Sequence, residues 1–398
     1  MTPFSTYDFK DRKAIVRVDF NVPLSKETFK ITDDKRMQAA LPTINKIISD
    51  GGSVILLSHL GRPKNGPENA FSLKHLCEHL RIISGAEVFF SPDCIGSQTE
   101  QAAKNLKGGE ILLVENVRFY QEETKGDISF AQKLAKLGDC FVNDAFGTAH
   151  RAHSSTTQIA ASFDKKDKMC GLLMNTEIES AKKIMEQTKR PFTAIVGGAK
   201  VSDKVLIVEN LMNKADHIII GGGMAYTFKK ALGGNIGNSL CEDERIETCK
   251  TILENAAKKG VQIHLPIDSV IADTFSKTAQ TELKNSADIT EGWMGLDIGP
   301  EASKEFTSVI NTSKTILWNG PMGVFEMESF ESGTRAIADA VANATQNGAY
   351  SLIGGGDSAA AAKKFGVVDR ISHVSTGGGA LLEYFEGKVL PGVAAIDQ

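Results

Sequence analysis

The chain has no surplus of basic residues: 45 Lys and Arg stand against 49 Asp and Glu, a formal net charge of -4 over 398 residues, with a pI near 6.1. Proteins that neutralise nucleic-acid phosphates need such a surplus, so nucleic acid is not expected as the main partner. No apolar run approaches the roughly 18 residues that cross a membrane, and no membrane partner is expected. The opening Met1-Thr2-Pro3-Phe4-Ser5 lacks a basic stretch leading into an apolar one, so no secretory signal is expected. The six cysteines (Cys77, Cys94, Cys140, Cys170, Cys241, Cys249) contain no C-x-x-C pair and read as reduced thiols of a cytoplasmic protein. There is no repeat of fixed period, no low-complexity tract, and no G-x-x-x-x-G-K-[ST] phosphate loop.

What is present is ordinary globular material: 41% apolar and 24% charged residues, enough for a buried core. The length suggests two domains or one large α/β barrel. Short aliphatic runs at Ala14–Val18, Val54–Leu57, Val88–Phe90, Ile111–Val114, Cys140–Val142, Phe192–Val196, His217–Ile220, Val261–His264, Thr315–Trp318 and Ser351–Ile353 alternate with helical patterns. Continuous apolar strands between helices predict mostly parallel sheets with helices on both faces. A helix is predicted over Asn175–Thr188, with a capping box Thr176-x-x-Glu179 and a stop at Lys189-Arg190-Pro191. A new strand follows at once, so the domain boundary is placed there, with the helix as connector.

Composition differs between the halves. Of 37 glycines, 12 fall in 1–190 and 25 in 191–398, whereas seven of the eleven arginines lie at or before Arg151. Arginine forks suit carboxylate and phosphate oxygens, and glycine loops let backbone N–H groups approach phosphates. Polar residues collect after the predicted strands, where open α/β sheets bind ligands. Two loaded sheets imply two facing ligand sites, as a transferase needs for an anionic acceptor and a nucleotide.

Each motif has a plainer alternative. Arg17-Val18-Asp19-Phe20-Asn21-Val22-Pro23 places polar groups at alternate positions, which suits a site or the wet face of an edge strand. His59-Leu60-Gly61-Arg62 and Gly147–Ser155 are basic loops that gather around an anion or are simply solvated. In Gly197-Gly198-Ala199-Lys200-Val201-Ser202-Asp203-Lys204, two lysines four apart at a predicted helix start oppose the helix dipole unless a polyphosphate compensates. Exposed lysines on a tight turn are the alternative. Gly354-Gly355-Gly356-Asp357-Ser358-Ala359 loosely fits a dinucleotide fingerprint, but no acidic residue follows at the required distance of roughly 20 positions. A phosphate nest with Asp357 as a magnesium ligand is preferred. His75-x-x-Glu78-His79 matches a zinc motif but reads as a solvated helix face. A nicotinamide-dependent dehydrogenase and a cleft-type ligand-binding protein remain as rivals; the missing ribose acid and missing signal count against them.

These motifs together, with Gly221-Gly222-Gly223-Met224-Ala225 and the run from Trp318 to Glu326, resemble phosphoglycerate kinase of the bacterial type from first strand to C-terminus. The resemblance implies an α/β fold of two Rossmann-like three-layer (αβα) domains joined by a hinge helix. A 3-phosphoglycerate domain at 1–172 would carry the returning segment 385–398, with the connector at 173–190 and a nucleotide domain at 191–384. It implies reversible phosphoryl transfer from 1,3-bisphosphoglycerate to MgADP, in line and with domain closure, by a cytoplasmic monomer of glycolysis. By motif match, Asp19, Phe20, Asn21, Arg36, His59, Leu60, Gly61, Arg62, Arg118 and Arg151 correspond to the 3-phosphoglycerate site. Lys200 and Lys204 correspond to phosphate-binding lysines, and Arg36 with Lys200 to the catalytic pair. Asn319, Pro321, Val324 and Glu326 correspond to residues around adenosine, with Glu326 on the ribose. Gly355, Gly356, Asp357 and Ser358 correspond to the polyphosphate loop, with Asp357 on Mg2+. Ser358 stands where the family often has threonine, which retains the hydroxyl.

Overall fold

The computed structural model describes residues 3–64 and 66–397. It divides into two compact units, one formed by 1–178 with 389–398, the other by 179–388. The first unit carries strands β1 (Lys13–Arg17), β2 (Ser53–Leu57), β3 (Val88–Ser91), β4 (Ile111–Val114), β5 (Cys140–Asn143) and β6 (Lys168–Cys170). The second carries β7 (Phe192–Val196), β8 (His217–Ile220), β9 (Asn235–Ile236), β10 (Gln262–His264), β11 (Asp268–Ala272), β12 (Thr281–Asn285), β13 (Asp288–Ile289), β14 (Met294–Ile298), β15 (Thr315–Asn319), β16 (Tyr350–Ile353) and β17 (His373–Val374).

Each unit is built on a six-stranded sheet, ordered β3-β4-β2-β1-β5-β6 in the first and β10-β8-β7-β15-β16-β17 in the second. Every pairing in both is parallel. Strands covered on both faces have no wet side, which is why Ser-Val-Ile-Leu-Leu of β2 and Thr-Ile-Leu-Trp-Asn of β15 are buried throughout. Helix Lys35–Ser49 buries Met37, Ala40, Ile44 and Ile47, one stripe at helical spacing. The second unit adds a small sheet, β12-β11-β14, and the pair β13-β9.

In both sheets the order reverses at a central strand. In the first unit β1 lies between β2 and β5; in the second β7 lies between β8 and β15. The carboxyl ends of these strands are the crevices where open α/β sheets take ligands.

Three local expectations change. β1 ends at Arg17, so Asp19 and Asn21 lie in the following loop and do not alternate on a strand. The helix predicted at 175–188 spans Leu172–Met185, and the division between units falls inside it. Thr176 is therefore no cap; its hydroxyl donates to Leu172 O at 2.8 Å within the helix. The start is capped by distant residues instead. Leu172 N donates to Thr43 Oγ1 at 2.9 Å and Met174 N to Asp144 Oδ1 at 3.0 Å. Burial pushes that Asp144 carboxyl up to about 6. The third concerns the zinc-like motif. His75 lies in a 3-10 turn before helix Cys77–Ser84, stacked on Phe29, while His79 meets Asp34 at 2.8 Å.

The last helix, Pro391–Asp397, packs within the first unit. Gly392 N donates to Ala149 O at 2.8 Å. The buried Asn143 amide donates to Thr156 O and Gly392 O, both at 3.0 Å. One side chain at the end of β5 thus ties a loop and the chain end together. Asn143→Ala is expected to lower stability by about 2 kcal/mol, because two buried carbonyls lose their donor. Urea unfolding followed by circular dichroism checks this; a change under about 0.5 kcal/mol would show that water replaces the amide.

Candidate functional site

In the first unit the site is a crowd of cations around the end of β1. Arg17 is fully buried. Its Nε donates to Ser155 Oγ at 2.8 Å, one Nη donates to Val18 O, and the other lies 3.4 Å from His59 Nδ1. Ser155 passes the interaction on: its hydroxyl donates to Glu123 Oε1 at 2.6 Å and its N–H to Glu123 Oε2 at 2.9 Å. Glu123 has no exposed surface. A buried guanidinium is therefore linked through one hydroxyl to a buried carboxylate, the arrangement that burying charge demands. Burial lowers the Arg17 pKa, and Glu123 and Asp19 oppose that shift.

The loop after β1 turns back over this centre. Arg36 Nη1 donates to Asn21 O at 3.0 Å and pairs with Asp19 Oδ2 at 3.2 Å. Asp19 Oδ1 is 3.8 Å from His59 Nδ1. The Asn21 side chain accepts from Gly61 N at 2.8 Å, and Arg118 Nη1 donates to Gly61 O at 2.9 Å. Gly61 is at φ +64°, and a Cβ there would meet the Phe71 ring at 2.3 Å, so only glycine fits. Asn116 donates to Leu60 O at 2.8 Å and to Phe71 O at 2.9 Å, fixing the basic loop from below. Phe20 and Leu60 place their side chains in the core and offer the site only backbone. Arg62 and Arg151 are exposed.

The electrostatics here are set by burial and by guanidinium groups packed close together. Burial, then Arg17, Arg118, Arg36 and His153, push His59 well below the usual imidazole range. Burial and the guanidinium groups of Arg118, Arg17 and Arg151 hold His153 at about 4. Arg118 falls to about 10 through burial and the charges of Arg17 and Arg151. Arg118 Nε and His153 Nδ1 are buried without a hydrogen-bond acceptor. Polar groups this deep are normally satisfied; His153 Nδ1 lies 3.8 Å from Glu123 Oε1, which leaves the Arg118 Nε–H as the donor open to a ligand oxygen.

In the second unit two glycine turns cross at the ends of β7 and β15. Gly197 N donates to Asn319 O at 2.9 Å and Gly198 N to Pro321 O at 3.1 Å. A Cβ on Gly197 would lie 2.1 Å from Pro321 O, and one on Gly320 would lie 2.2 Å from Gly197 O. The close approach therefore excludes side chains at both positions. Asn319 joins this crossing to the next turn: Lys204 Nζ donates to its Oδ1, and its Nδ2 donates to Gly354 O at 2.8 Å. The buried Ser358 hydroxyl accepts from Gly320 N at 2.6 Å. Burial lowers the Lys204 pKa, against the opposing charges of Asp203, Asp357 and Glu386. The helix here begins only at Val205, with Lys204 as N-cap, so Lys200 lies in the loop and not on the helix. Lys200 is exposed, as are Gly356, Asp357 and Glu326; Gly355, Pro321 and Val324 are half-buried. Gly355, at φ +92°, precedes helix Gly356–Lys364, which places Asp357 in that helix's first turn.

Among the described residues no group of three or more His, Cys, Asp or Glu could hold a metal ion. Asp357 alone, exposed beside a turn of backbone N–H groups, fits the sparse protein coordination that Mg2+ accepts when phosphates supply other ligands. Among the described residues no helix is long and apolar enough to cross a membrane.

The sequence reading does not single out Glu123 or Asn116, and it names Ser155 only as the end of the Gly147–Ser155 loop. Glu123 follows Glu122 in a polar segment, and nothing local distinguishes the buried carboxylate from its neighbour. Arg17 and His153 stand inside noted motifs without a role of their own.

A family model described as phosphoglycerate kinase matches residues 4–388. A phosphoglycerate kinase of Porphyromonas gingivalis is 51% identical, over 98% of each chain. A chloroplastic one of Volvox carteri is 50% identical, over 98% of this chain and 84% of its own. The solved phosphoglycerate kinase of Coxiella burnetii is 41% identical with a TM-score of 0.89, covering 99% of this chain and 98% of its own. That of Pyrococcus horikoshii is 30% identical, with a TM-score of 0.83 over 100% and 98%. Matched along its length in sequence and in fold, the chain belongs to the phosphoglycerate kinase family.

Proposed function

We propose that the chain transfers a phosphoryl group reversibly between 1,3-bisphosphoglycerate and MgADP, giving 3-phosphoglycerate and MgATP. The observation that carries this reading is the buried Arg118 Nε–H, left without a hydrogen-bond partner beside the charges of Arg17 and Arg151. Only a ligand with several anionic oxygens relieves that cluster. The first unit would take the acceptor through Asp19, Asn21, Arg36, His59, Arg62, Arg118 and Arg151, with backbone from Phe20, Leu60 and Gly61. The second would take the nucleotide through Lys200, Lys204, Asn319, Pro321, Val324, Glu326, Gly355, Gly356, Asp357 and Ser358. The further readings belong to the same proposal: a monomer, cytoplasmic, without nucleic-acid or membrane partner.

The acceptor of the reverse reaction is a carboxylate, already ionised at neutral pH with a reference pKa of about 4. No general base is needed, and the lowered His59 and His153 remain neutral polar groups at pH 7. Catalysis then rests on positioning and charge neutralisation. Arg36, fixed by Asp19 and Asn21 O, would steady the acceptor side of the transferred group; exposed Lys200 is free to follow its oxygens. Mg2+ held by Asp357 would neutralise charge on the nucleotide phosphates. An acyl phosphate hydrolyses in water, so the proposal includes closure about the helix Leu172–Met185 to exclude solvent.

The test of the activity is ATP-dependent phosphorylation of 3-phosphoglycerate in a coupled assay, with an NADH-only control. Lys200→Ala is expected to lower kcat by roughly 10²–10³, about 2–4 kcal/mol, with little change in nucleotide KM. A kcat within about threefold of the parent removes Lys200 from the reaction. Arg62→Ala and Arg151→Ala are expected to weaken 3-phosphoglycerate binding and leave MgATP affinity unchanged, as measured by calorimetry with each ligand alone. Equal loss for MgATP would mean the ligands are not divided between units. Small-angle scattering should show full compaction only with both ligands, since a ligand shifts a conformation only by its differential affinity. One radius of gyration in all states would refute closure.

A further inference from the structure

One cluster near the proposed nucleoside side touches none of the assigned ligand groups. Lys364 is the last residue of the nine-residue helix that begins Gly356-Asp357. Its Nζ donates to Phe325 O at 2.6 Å and pairs with Glu331 Oε2 at 2.5 Å. Glu331 Oε1 meets Arg335 Nη2, also at 2.5 Å. Both partners hold the Glu331 carboxyl below its usual range. The Arg335 guanidinium lies 4.4 Å over the Phe365 ring, and Phe365 meets Phe325 edge to face at 6.4 Å. Phe325 is buried, whereas its neighbours Val324 and Glu326 are not.

The geometry has a consequence for ligand binding. The helix presents Asp357 and the phosphate turn at its first residues. At its far end, about 12 Å on, it grips the Phe325 carbonyl between Val324 and Glu326, two of the residues assigned to adenosine. The Glu331–Arg335 pair fixes the ammonium that does the gripping. Rigid support of this kind holds a loop in its binding geometry without touching the ligand.

We propose that Lys364 is a positioning residue for the nucleoside end of the nucleotide, acting through Phe325 O on Val324 and Glu326. The inference rests on the nucleotide reading of the second unit given above. It predicts that losing Lys364 weakens recognition of the nucleoside and spares recognition of the phosphates.

The experiment uses the full chain with Lys364→Met and Lys364→Arg. Calorimetry measures MgADP, and inorganic magnesium tripolyphosphate serves as a probe without a nucleoside. For Lys364→Met the MgADP Kd and KM should rise about tenfold and kcat at saturation stay within about threefold, the split expected for lost uniform binding. Tripolyphosphate binding should stay within about twofold, and Lys364→Arg should restore most of the MgADP affinity. Equal weakening of both ligands, an unchanged MgADP Kd, or a fall in kcat without a rise in KM would overturn the proposal. If Lys364→Met does not fold, Lys364→Gln, which also removes the ammonium that reaches Phe325 O, should raise the MgADP KM in the same direction; no rise overturns it. If the unaltered chain fails to bind MgADP at all, the nucleotide reading itself has failed, a result separate from these.

Discussion

A guanidinium with no exposed surface sits at the end of β1, and the first unit is arranged around it. Arg17 cannot be buried unless its donors and its charge are answered. Ser155 answers one donor and couples it to Glu123, and Val18 O and His59 answer the others. Those partners come from the segment after β1, the loop after β2, the helix Gln121–Lys125 and the loop after β5. Satisfying one side chain therefore links these segments to one another. Removing Glu123 would leave Arg17 and its cationic neighbours without their buried counter-charge, the costly half of a broken buried pair.

The internal neutralisation is deliberately incomplete in its geometry. Glu123 and Asp19 answer part of the charge, while the Arg118 Nε–H has no acceptor. Mutual repulsion in that cluster is electrostatic energy that the proposed anionic ligand would release on binding. Burial, with that repulsion added to it, keeps His59 and His153 neutral, so neither changes charge across the neutral pH range.

The second unit solves a different problem. Its crevice is shaped by backbone approaching backbone, with Gly197 and Gly320 packed where any Cβ would collide. Asn319 then spans to Lys204 on one side and Gly354 on the other, so three turns share one amide. The result is a crossing of turns whose own N–H groups are bonded to one another's carbonyls, with Lys204 and the Gly355–Asp357 turn beside it. Charge decides the first site, and steric exclusion of side chains decides the second.

The sequence by itself determined the class of fold, because strands buried on both faces must be continuously apolar and cannot be confused with half-exposed ones. It also pointed to the loops at which the site is proposed, because polar residues, arginine and glycine gather after those strands. The motif match supplied the family, and the comparisons agree. Tertiary structure alone decided the rest, through contacts that join residues far apart in the chain. Thr43 and Asp144 cap the helix at Leu172 and displace the local capping box that Thr176 and Glu179 suggested. Lys200 left the helix because the turn Val201–Lys204 comes first. Glu123 differs from Glu122 only in being turned inward toward Ser155. Lys364 reaches Phe325, 39 residues away, only because its helix and that loop pack in one place. No periodicity or spacing encodes such pairings, since each depends on where the assembled sheets put two loops.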